Sequence, residues 1–221
     1  GEVCPEATLA AGQIAEVAEV VVISPASTSS TITNAGNYIF RTVPSNILQG
    51  DVGAKLIYNR GYRKLALLYS NEDYSIEISN ILKEKFQGQV VASESFERGA
   101  ADLRAQITKI KDSNPDAIYF IDDHLGSTIA ALKQIKELGI SAAIFGSDRL
   151  KDQRIIEGAG SSAEGLILTS LNSGTALFVA EYKRIYEKEP EKFAAQGYDA
   201  FKTIAIAIRD GAKTGEEIKN R

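Results

Sequence analysis

Through the middle of the chain, short apolar runs alternate with segments whose apolar positions recur at helical spacing. The spacing predicts a helix in each of the first three gaps between these runs, ended by Gly88, by Asn114-Pro115 and by Gly139. Strands separated by single helices and apolar on both faces are typical of right-handed βαβ units in a parallel sheet. We expect the strands at Lys64–Tyr69, Val90–Ala92, Ala117–Ile121, Ala142–Phe145 and Leu166–Leu168.

The two ends of the chain predict a smaller and less complete set of elements. Strands are expected only at Val20–Ser24 and Tyr38–Arg41, with a Ser/Thr-rich loop between them. Two strands and the accompanying helices do not make a satisfactory sheet layer, so these ends look like part of a second domain. The predicted helices are Thr8–Ala18, a helix opened by Pro44-Ser45 that runs to about Arg60, Thr175–Lys188 and Gln196–Ala212.

Composition excludes several classes of protein. The 221 residues carry 25 Lys+Arg against 29 Asp+Glu, a net charge of −4, and 44% are hydrophobic. These values are ordinary for a globular chain with a core, and the acidic balance argues against nucleic-acid binding, which needs a basic face. The apolar runs fall well short of the roughly 20 residues that span a bilayer.

The predicted strand ends carry polar chemistry that suits a zwitterion. In an open parallel sheet, ligands bind where the chain leaves the carboxyl ends of the strands. Those ends hold carboxylates and an aromatic ring, whereas the predicted strand near the N-terminus leads into hydroxyl groups. Carboxylates favour a cationic group, and hydroxyls with backbone N–H groups favour an anionic one. The segments are Ser70–Tyr74, Asp122–His124, Gly146–Arg149 and Ser24–Thr28.

Each of these polar residues also has a purely structural interpretation. Asp and Ser at strand-to-helix joints are common N-caps, and we expect Asp73 and Asp102 to be caps. Tyr74 could cover the edge of the sheet, and His124 is better explained as a loop residue than as an acid or base. The zwitterion interpretation therefore rests on the set of segments rather than on any single residue.

Signals for catalysis, cofactors and metals are missing from the sequence. There is no phosphate-binding G-x-x-x-x-G-K-[ST], no G-x-S-x-G and no H-E-x-x-H, and Gly158-Ala-Gly160 follows a predicted helix rather than a strand. A phosphoacceptor domain would need a Lys after the fifth strand, which is absent. Cys4 and His124 are the only Cys and His, too few for a metal site. We expect no enzyme activity, no cofactor and no metal.

An ordered series of short segments resembles one family, the type I periplasmic solute-binding proteins of branched-chain amino acid ABC transporters. None of the segments is specific alone, but the series spans nearly the whole chain. It comprises Ile23–Thr28, Tyr38–Thr42, Pro44-Ser45, Gln49-Gly50, Lys64–Ser70, Asn114–Phe120, Leu132–Gly139, Phe145–Asp148, Ala163–Gly165 and Gly197–Ala200.

The resemblance implies an α/β fold of the periplasmic-binding-protein type I, with two doubly wound parallel-sheet lobes that close on a ligand. Residues 45–171 are expected to form the complete second lobe. Residues 1–44 and 172–221 are expected to form a partial first lobe, because family members carry further strands before the position of Gly1. The chain therefore resembles a truncated or partial binding protein.

The resemblance also assigns ligand contacts. Ala26, Ser27 and Thr28 correspond to the loop whose backbone and threonine hydroxyl hold the ligand α-carboxylate. Tyr74 corresponds to the aromatic side chain that packs over the ligand. Asp148 corresponds to the acidic residue that pairs with the α-ammonium group.

Other positions depart from the family pattern. Asp123 or His124 stands where many members have a tyrosine, which makes that wall of the pocket more polar. Pro5 stands where a carboxylate-binding serine is common, and proline offers neither a hydroxyl nor an N–H. Cys4 matches a cysteine that forms a disulfide in some members. Pro5 and the acidic pair Asp122-Asp123 count against leucine-type specificity and favour a more polar or larger ligand.

The sequence thus predicts extracytoplasmic binding of a small amino-acid-like solute for delivery to an ABC permease. The resemblance implies a periplasmic or extracellular location and leaves open a lipid anchor on the full-length precursor. The incomplete first lobe suggests a homodimer. A ligand-sensing domain of a receptor or regulator, and a fragment that binds nothing, stay open as alternatives.

Overall fold

The computed structural model describes residues 2–221, which fall into two compact units. Unit 1 combines the residues up to Ser45 with Asn172–Arg221, and unit 2 is Asn46–Leu171. No helix among the described residues has both the length and the hydropathy that crossing a membrane requires.

Unit 2 contains a five-stranded parallel sheet whose strands lie in the order Gln89–Phe96, Lys64–Ser70, Ala117–Ile121, Ala143–Gly146 and Ile167–Leu168. This order and the alternation of strands with helices confirm the predicted α/β fold of βαβ units. The strands are β3 (Lys64–Ser70), β4 (Gln89–Phe96), β5 (Ala117–Ile121), β6 (Ala143–Gly146) and β7 (Ile167–Leu168). The helices are α2 (Asn46–Asn59), α3 (Asp73–Lys85), α4 (Arg104–Asp112), α5 (Leu125–Glu137) and α6 (Gln153–Ala159).

The central strand β5 explains why this sheet carries helices on both faces. Every side chain of Ala117–Ile121 is buried. Phe120 packs with residues of α4, α5 and α6, whereas Tyr119 packs with residues of α2 and α3. Successive side chains of a strand point to opposite faces, so an uninterrupted apolar run needs cover on both sides.

Among the residues that the structure describes, unit 1 has one two-stranded parallel sheet, formed by β1 (Val22–Ser24) and β2 (Ile39–Arg41). The N-terminal helix α1 (Pro5–Val17) begins earlier than predicted, because Pro5 occupies its first position, where proline is well tolerated. The C-terminal part forms α7 (Ala176–Tyr186), α8 (Ala194–Arg209) and α9 (Gly215–Lys219).

The short helix α9 was not predicted. Thr214 and Glu217 form a reciprocal capping box at its start. The Tyr38 hydroxyl donates a 2.6 Å hydrogen bond to Glu216 Oε2, which joins α9 to the residue before β2.

The helix predicted to open at Pro44-Ser45 begins directly after Ser45, at Asn46, and ends at Asn59. The two predicted N-caps were wrong. Asp73 is the first residue of α3 and not its cap, since Glu72 holds the N-cap position without a side-chain hydrogen bond. Asp102 accepts the N–H of Arg104 at 3.1 Å, although the N-cap position of α4 belongs to Leu103.

Candidate functional site

The carboxyl ends of four neighbouring strands of unit 2 meet at one edge of the sheet. The register aligns Tyr69 of β3 with Ile121 of β5, and aligns Gly146 of β6 with both Phe120 and Leu168. The polar residues that follow these strands therefore share one edge, the edge where ligands bind in open α/β sheets.

Two residues predicted separately as ligand contacts are in direct contact at this edge. Asp148 follows β6 and is 8% exposed. Tyr74, in the first turn of α3, donates from its hydroxyl to Asp148 Oδ1 at 2.9 Å. The structure therefore brings the expected aromatic residue and the expected acidic residue into one cluster.

Gln49 of α2 belongs to the same cluster and was not predicted as a site residue. Its Nε2 donates a hydrogen bond to Asp148 Oδ1 at 2.7 Å. Its Oε1 is also within 3.1 Å of the Tyr74 hydroxyl and can accept from it. In the sequence, Gln49-Gly50 belongs to the segments that carry the family resemblance, and nothing else distinguishes it. No strand end marks Gln49, so the local pattern gave no reason to place it at the site.

A second buried pair lies beside Gln49. The hydroxyls of Tyr119 and Thr169 are 2.8 Å apart, and Gln49 Nε2 is 3.4 Å from Thr169 Oγ1. We call Gln49, Tyr74, Tyr119, Asp148 and Thr169 the Asp148 cluster.

The charge of Asp148 is surrounded by groups that remain protonated. Burial of the hydroxyl, followed by the nearby negative charge of Asp148, holds the pKa of Tyr74 well above its usual value. Burial also raises the pKa of Tyr119, an effect that its hydrogen bond to Thr169 opposes. The Tyr74 hydroxyl is therefore a donor to the carboxylate at neutral pH.

A cation adjoins the Asp148 cluster. The Arg149 guanidinium lies over the Tyr74 ring, with Cζ 4.6 Å from the ring centroid. The edge of the sheet thus offers a carboxylate and a guanidinium from consecutive residues.

Asp123 and His124 belong to a different cluster, at the start of α5. Asp123 pairs with Arg98 at 2.8 Å, and this contact raises the pKa of the Arg98 guanidinium. His124 is the N-cap of α5, and its Nδ1 accepts from the N–H of Ser127 at 3.4 Å. Both side chains therefore have structural partners, and their predicted contact with a ligand stays a prediction.

Asp122 anchors this second cluster. Its carboxylate is fully buried and accepts from the hydroxyls of Ser127 at 2.6 Å and Thr128 at 3.2 Å. It also accepts the N–H groups of Asp123 and His124. These bonds satisfy the carboxylate and fix the joint between β5 and α5.

The hydroxyl-rich loop of unit 1 is ordered by its own side chains. Ser24 Oγ accepts the N–H groups of Ala26 at 3.3 Å and Ser27 at 3.0 Å. The Ser27 hydroxyl is 2.7 Å from that of Thr8 in α1, so it is already engaged. The partly exposed Thr28 hydroxyl makes no hydrogen bond within residues 2–221.

Metal-ligating side chains do not cluster in the part of the chain that the structure describes. Among residues 2–221, no group of three or more His, Cys, Asp or Glu side chains is placed to hold an ion. Cys4 is a free, exposed thiol.

Comparison with known proteins gives a family. The sequence profile described as periplasmic binding protein matches residues 4–221. A leucine-, isoleucine-, valine-, threonine- and alanine-binding protein of Pseudomonas aeruginosa is 30% identical over 207 residues, covering 91% of this chain and 52% of that protein. A Leu/Ile/Val-binding protein of Escherichia coli is 26% identical over 76% of this chain and 47% of its own length. The chain thus spans about half the length of these curated relatives.

Solved structures agree with this family and with the fold. A substrate-binding protein of a branched-chain amino acid transporter from Streptococcus pneumoniae, solved with isoleucine, matches with a TM-score of 0.82 at 28% identity. A leucine-binding protein from Thermotoga maritima matches with a TM-score of 0.84 at 31% identity. Both comparisons cover 100% of this chain and 66% of the other.

These findings confirm the resemblance that the ordered segments indicated. They also confirm the type I periplasmic-binding fold, of which this chain is a part. The family is one of solute-binding proteins, found in the periplasm or outside the cell. With a profile match over residues 4–221, the chain belongs to the periplasmic binding protein family.

Proposed function

We propose that the chain binds a small amino-acid-like solute and delivers it to an ABC transporter, without catalysing a reaction. The observation that carries this proposal is the placement of Asp148. Its buried carboxylate lies at the carboxyl ends of parallel strands, and side chains from α2 and α3 hold it. A fixed, desolvated carboxylate is suited to a ligand ammonium group, because the interaction is stronger than it would be in water.

The names of the similar proteins support an amino acid as the solute. The Pseudomonas and Escherichia relatives are named for aliphatic amino acids, and the Streptococcus protein was solved with isoleucine. The buried Asp148 carboxylate supplies the charge that the ammonium group of such a solute requires.

We infer candidate ligand contacts in each unit separately. In this proposal, unit 2 is the complete second lobe and unit 1 is part of the first lobe. In unit 2, Asp148 beside Tyr74 is the proposed contact of an ammonium group. In unit 1, the loop that contains Ala26, Ser27 and Thr28 is the proposed contact of a carboxylate. The Thr28 hydroxyl is the best donor there, since the Ser27 hydroxyl already pairs with Thr8.

We propose that Asp123 and His124 are further, polar ligand contacts. Asp123 keeps a third of its side chain exposed despite its ion pair with Arg98. We therefore expect both residues to affect ligand choice more than they affect overall affinity.

The test is a melting experiment on the 221-residue chain with a panel of the twenty amino acids. Binding to the folded state raises the melting temperature by mass action. Asp148→Ala should weaken binding by about 2–5 kcal/mol, the usual effect of removing one member of a buried charge pair. Asp112→Ala is the matched control, because it removes the same charge from an exposed position in α4.

Two outcomes would count against the proposal. If no amino acid at millimolar concentration shifts the melting temperature, the chain is a fragment that binds nothing. If ligands shift it equally in the Asp148→Ala variant and the wild type, the solute does not use this carboxylate.

A homodimer stays a hypothesis for this chain. Its support is an apolar groove of about 660 Å³ between α7 and α8, to which the exposed Leu177 and Phe201 contribute. Sedimentation should show a dimer that Phe201→Glu dissociates, and a monomeric wild type would contradict it. The permease partner and a lipid anchor on a longer precursor stay predictions.

A further inference from the structure

Thr169 lies at the same edge of the sheet as Asp148 and beside Gln49. It directly follows β7, and its N–H donates to the Gly146 carbonyl at 3.0 Å. Its side chain is buried, with Oγ1 2.8 Å from the Tyr119 hydroxyl and 3.4 Å from Gln49 Nε2. The threonine hydroxyl therefore connects the central strand β5 to the amide that donates to Asp148.

The directions of the hydrogen bonds around Thr169 follow from the groups available. Within residues 2–221, Thr169 is the one hydrogen-bond partner of the Tyr119 hydroxyl. Burial raises the pKa of that hydroxyl, so it keeps its proton and needs an acceptor. The proton of Thr169 can in turn go to the Gly146 carbonyl, 3.4 Å away. Thr169 Oγ1 thus accepts from Tyr119, and its second lone pair is available to Gln49.

These directions specify which end of the Gln49 amide faces Asp148. Gln49 Nε2 carries two protons and faces two acceptors, Thr169 Oγ1 and Asp148 Oδ1. The other end of the amide, Oε1, faces the Tyr74 hydroxyl. Turning the amide over would place a carbonyl oxygen against both acceptors. Thr169 therefore restricts the rotation of the side chain that holds the Asp148 carboxylate.

From this arrangement we propose that Thr169 and Tyr119 are positioning residues for amino acid binding, which act only through Gln49. They keep the amino group of the Gln49 amide directed at Asp148, so that the carboxylate is fixed before the solute arrives. The inference rests on the proposed function, because it assigns a role to residues behind the proposed ammonium contact. All of the residues involved belong to unit 2.

Titration calorimetry with leucine, threonine and glutamine on the 221-residue chain tests the role of the hydroxyl. Thr169→Val keeps the shape of the side chain and removes its oxygen, and it should weaken amino acid binding about threefold to tenfold. Thr169→Ser restores the hydroxyl and should restore most of the affinity. Tyr119→Phe should have a smaller effect than Thr169→Val, because Thr169 Oγ1 can still accept from Gln49.

A double-mutant cycle shows whether Thr169 acts through Gln49. In the Gln49→Leu background, Thr169→Val should cause no further loss of affinity, since the group that it positions is already gone. Thr203→Val is the matched control, because it makes the same substitution in α8, where the hydroxyl donates to the Asp199 carbonyl. It should leave affinity unchanged.

Three results in these titrations would overturn the inference. One is an unchanged affinity in Thr169→Val, and another is a loss of the same size with and without Gln49. The third is a loss in Thr169→Ser as large as that in Thr169→Val, which would show that packing of the methyl group matters instead of the hydroxyl.

A readout without ligand separates this inference from the proposed function. The side-chain amide signals of Gln49, assigned by their absence in Gln49→Leu, report on the amide directly by NMR. Their hydrogen exchange should be slow in the wild type and clearly faster in Thr169→Val, and equal rates would overturn the inference. A wild type that binds none of the three amino acids would contradict the proposed function, while the exchange rates would still decide whether Thr169 positions Gln49.

Discussion

Unit 2 has a five-stranded sheet with helices packed on both faces, whereas unit 1 has two strands and helices with little cover. In unit 2 the whole of β5 is buried. In unit 1 the helix α7 has no buried residue, and Phe201 of α8 is 75% exposed. The sheet of unit 2 is therefore covered on both faces, although Ile47, Leu48 and Val52 of α2 are exposed. Among residues 2–221, unit 1 leaves α7 without a buried side chain.

This difference bears on the proposed site. The Asp148 cluster is built from residues of unit 2, at the edge of its five-stranded sheet. The loop with Ala26 and Ser27 instead depends on hydrogen bonds with Ser24, whose hydroxyl accepts the Ser27 N–H, and with Thr8, close to the small sheet of unit 1. Side chains that are fixed by a well-packed scaffold are better pre-organised for binding. We therefore expect the Asp148 cluster to be more rigid than the loop that contains Ala26 and Ser27.

The largest expected effect comes from two matched phenylalanine truncations, one in each unit. Phe120→Ala should lower the free energy of unfolding by about 3–5 kcal/mol, because it leaves a cavity in a fully buried core. Phe201→Ala should change it by at most about 0.5 kcal/mol, as expected of an exposed side chain. Urea unfolding followed by circular dichroism measures both free energies. Equal losses of stability in the two variants would contradict the difference in packing between the units.

Gln49 is the next most informative position, because it connects α2 to the Asp148 carboxylate. Gln49→Leu removes the 2.7 Å donor to Asp148 Oδ1 and should weaken amino acid binding by about 1–3 kcal/mol. The control is Gln153→Leu, an exposed position at the start of α6. Calorimetry that gave the two variants the same affinity would show that Gln49 does not position the carboxylate.

A smaller effect is expected from the Tyr74 hydroxyl. The pKa of the Tyr74 hydroxyl is higher in the folded state than in the unfolded state. The protonated hydroxyl therefore contributes its full stabilisation below the unfolded pKa near 10, and this contribution is lost as the pH rises through the folded pKa. Tyr74→Phe should remove part of this loss and weaken ligand binding by about 1 kcal/mol. Unfolding measured between pH 9 and 12 checks the first effect, and an unchanged pH dependence in the variant would refute it.

The smallest effect concerns unit 1. Hydrogen bonds from Lys219, Tyr38 and Asn220 lower the pKa of the exposed Glu216 to about 2. A lowered pKa gives stability above the unfolded value of 4.5 that disappears as the pH falls toward 2. Glu216→Gln should make the stability of unit 1 less dependent on pH in that range. Amide hydrogen exchange in α9 measures this. The pH dependence of amide exchange in β5 should be the same in the variant and the wild type.

The sequence was most informative where one pattern determined the structure. The apolar run Ala117–Ile121 predicted β5 with its observed bounds, since a strand buried on both faces must be apolar throughout. The strand β4 extends to Phe96, beyond the predicted Ala92, because an edge strand tolerates the polar Ser93–Ser95 segment. The capping box of Thr214 and Glu217 was a readable signal for α9 that the apolar spacing did not reveal.

The site was only partly predictable. Tyr74 and Asp148 were identified through their place at the strand ends and through the family resemblance. Their hydrogen bond joins residues 74 positions apart in sequence, and Gln49 contacts Asp148 across 99 positions. Such contacts follow from the packing of α2 and α3 on the sheet, which local patterns do not encode. The N-cap role of His124 likewise depends on where α5 begins.

The most direct test of the central claim compares amino acids with analogues in which a hydroxyl replaces the amino group. Calorimetry would use leucine, glutamate and their 2-hydroxy counterparts on the wild type and on Asp148→Asn. If Asp148 binds the ammonium group, the wild type should prefer the amino acid by about 30-fold or more, and Asp148→Asn should lose most of that preference. Equal affinity of the wild type for an amino acid and its hydroxy analogue would contradict the claim.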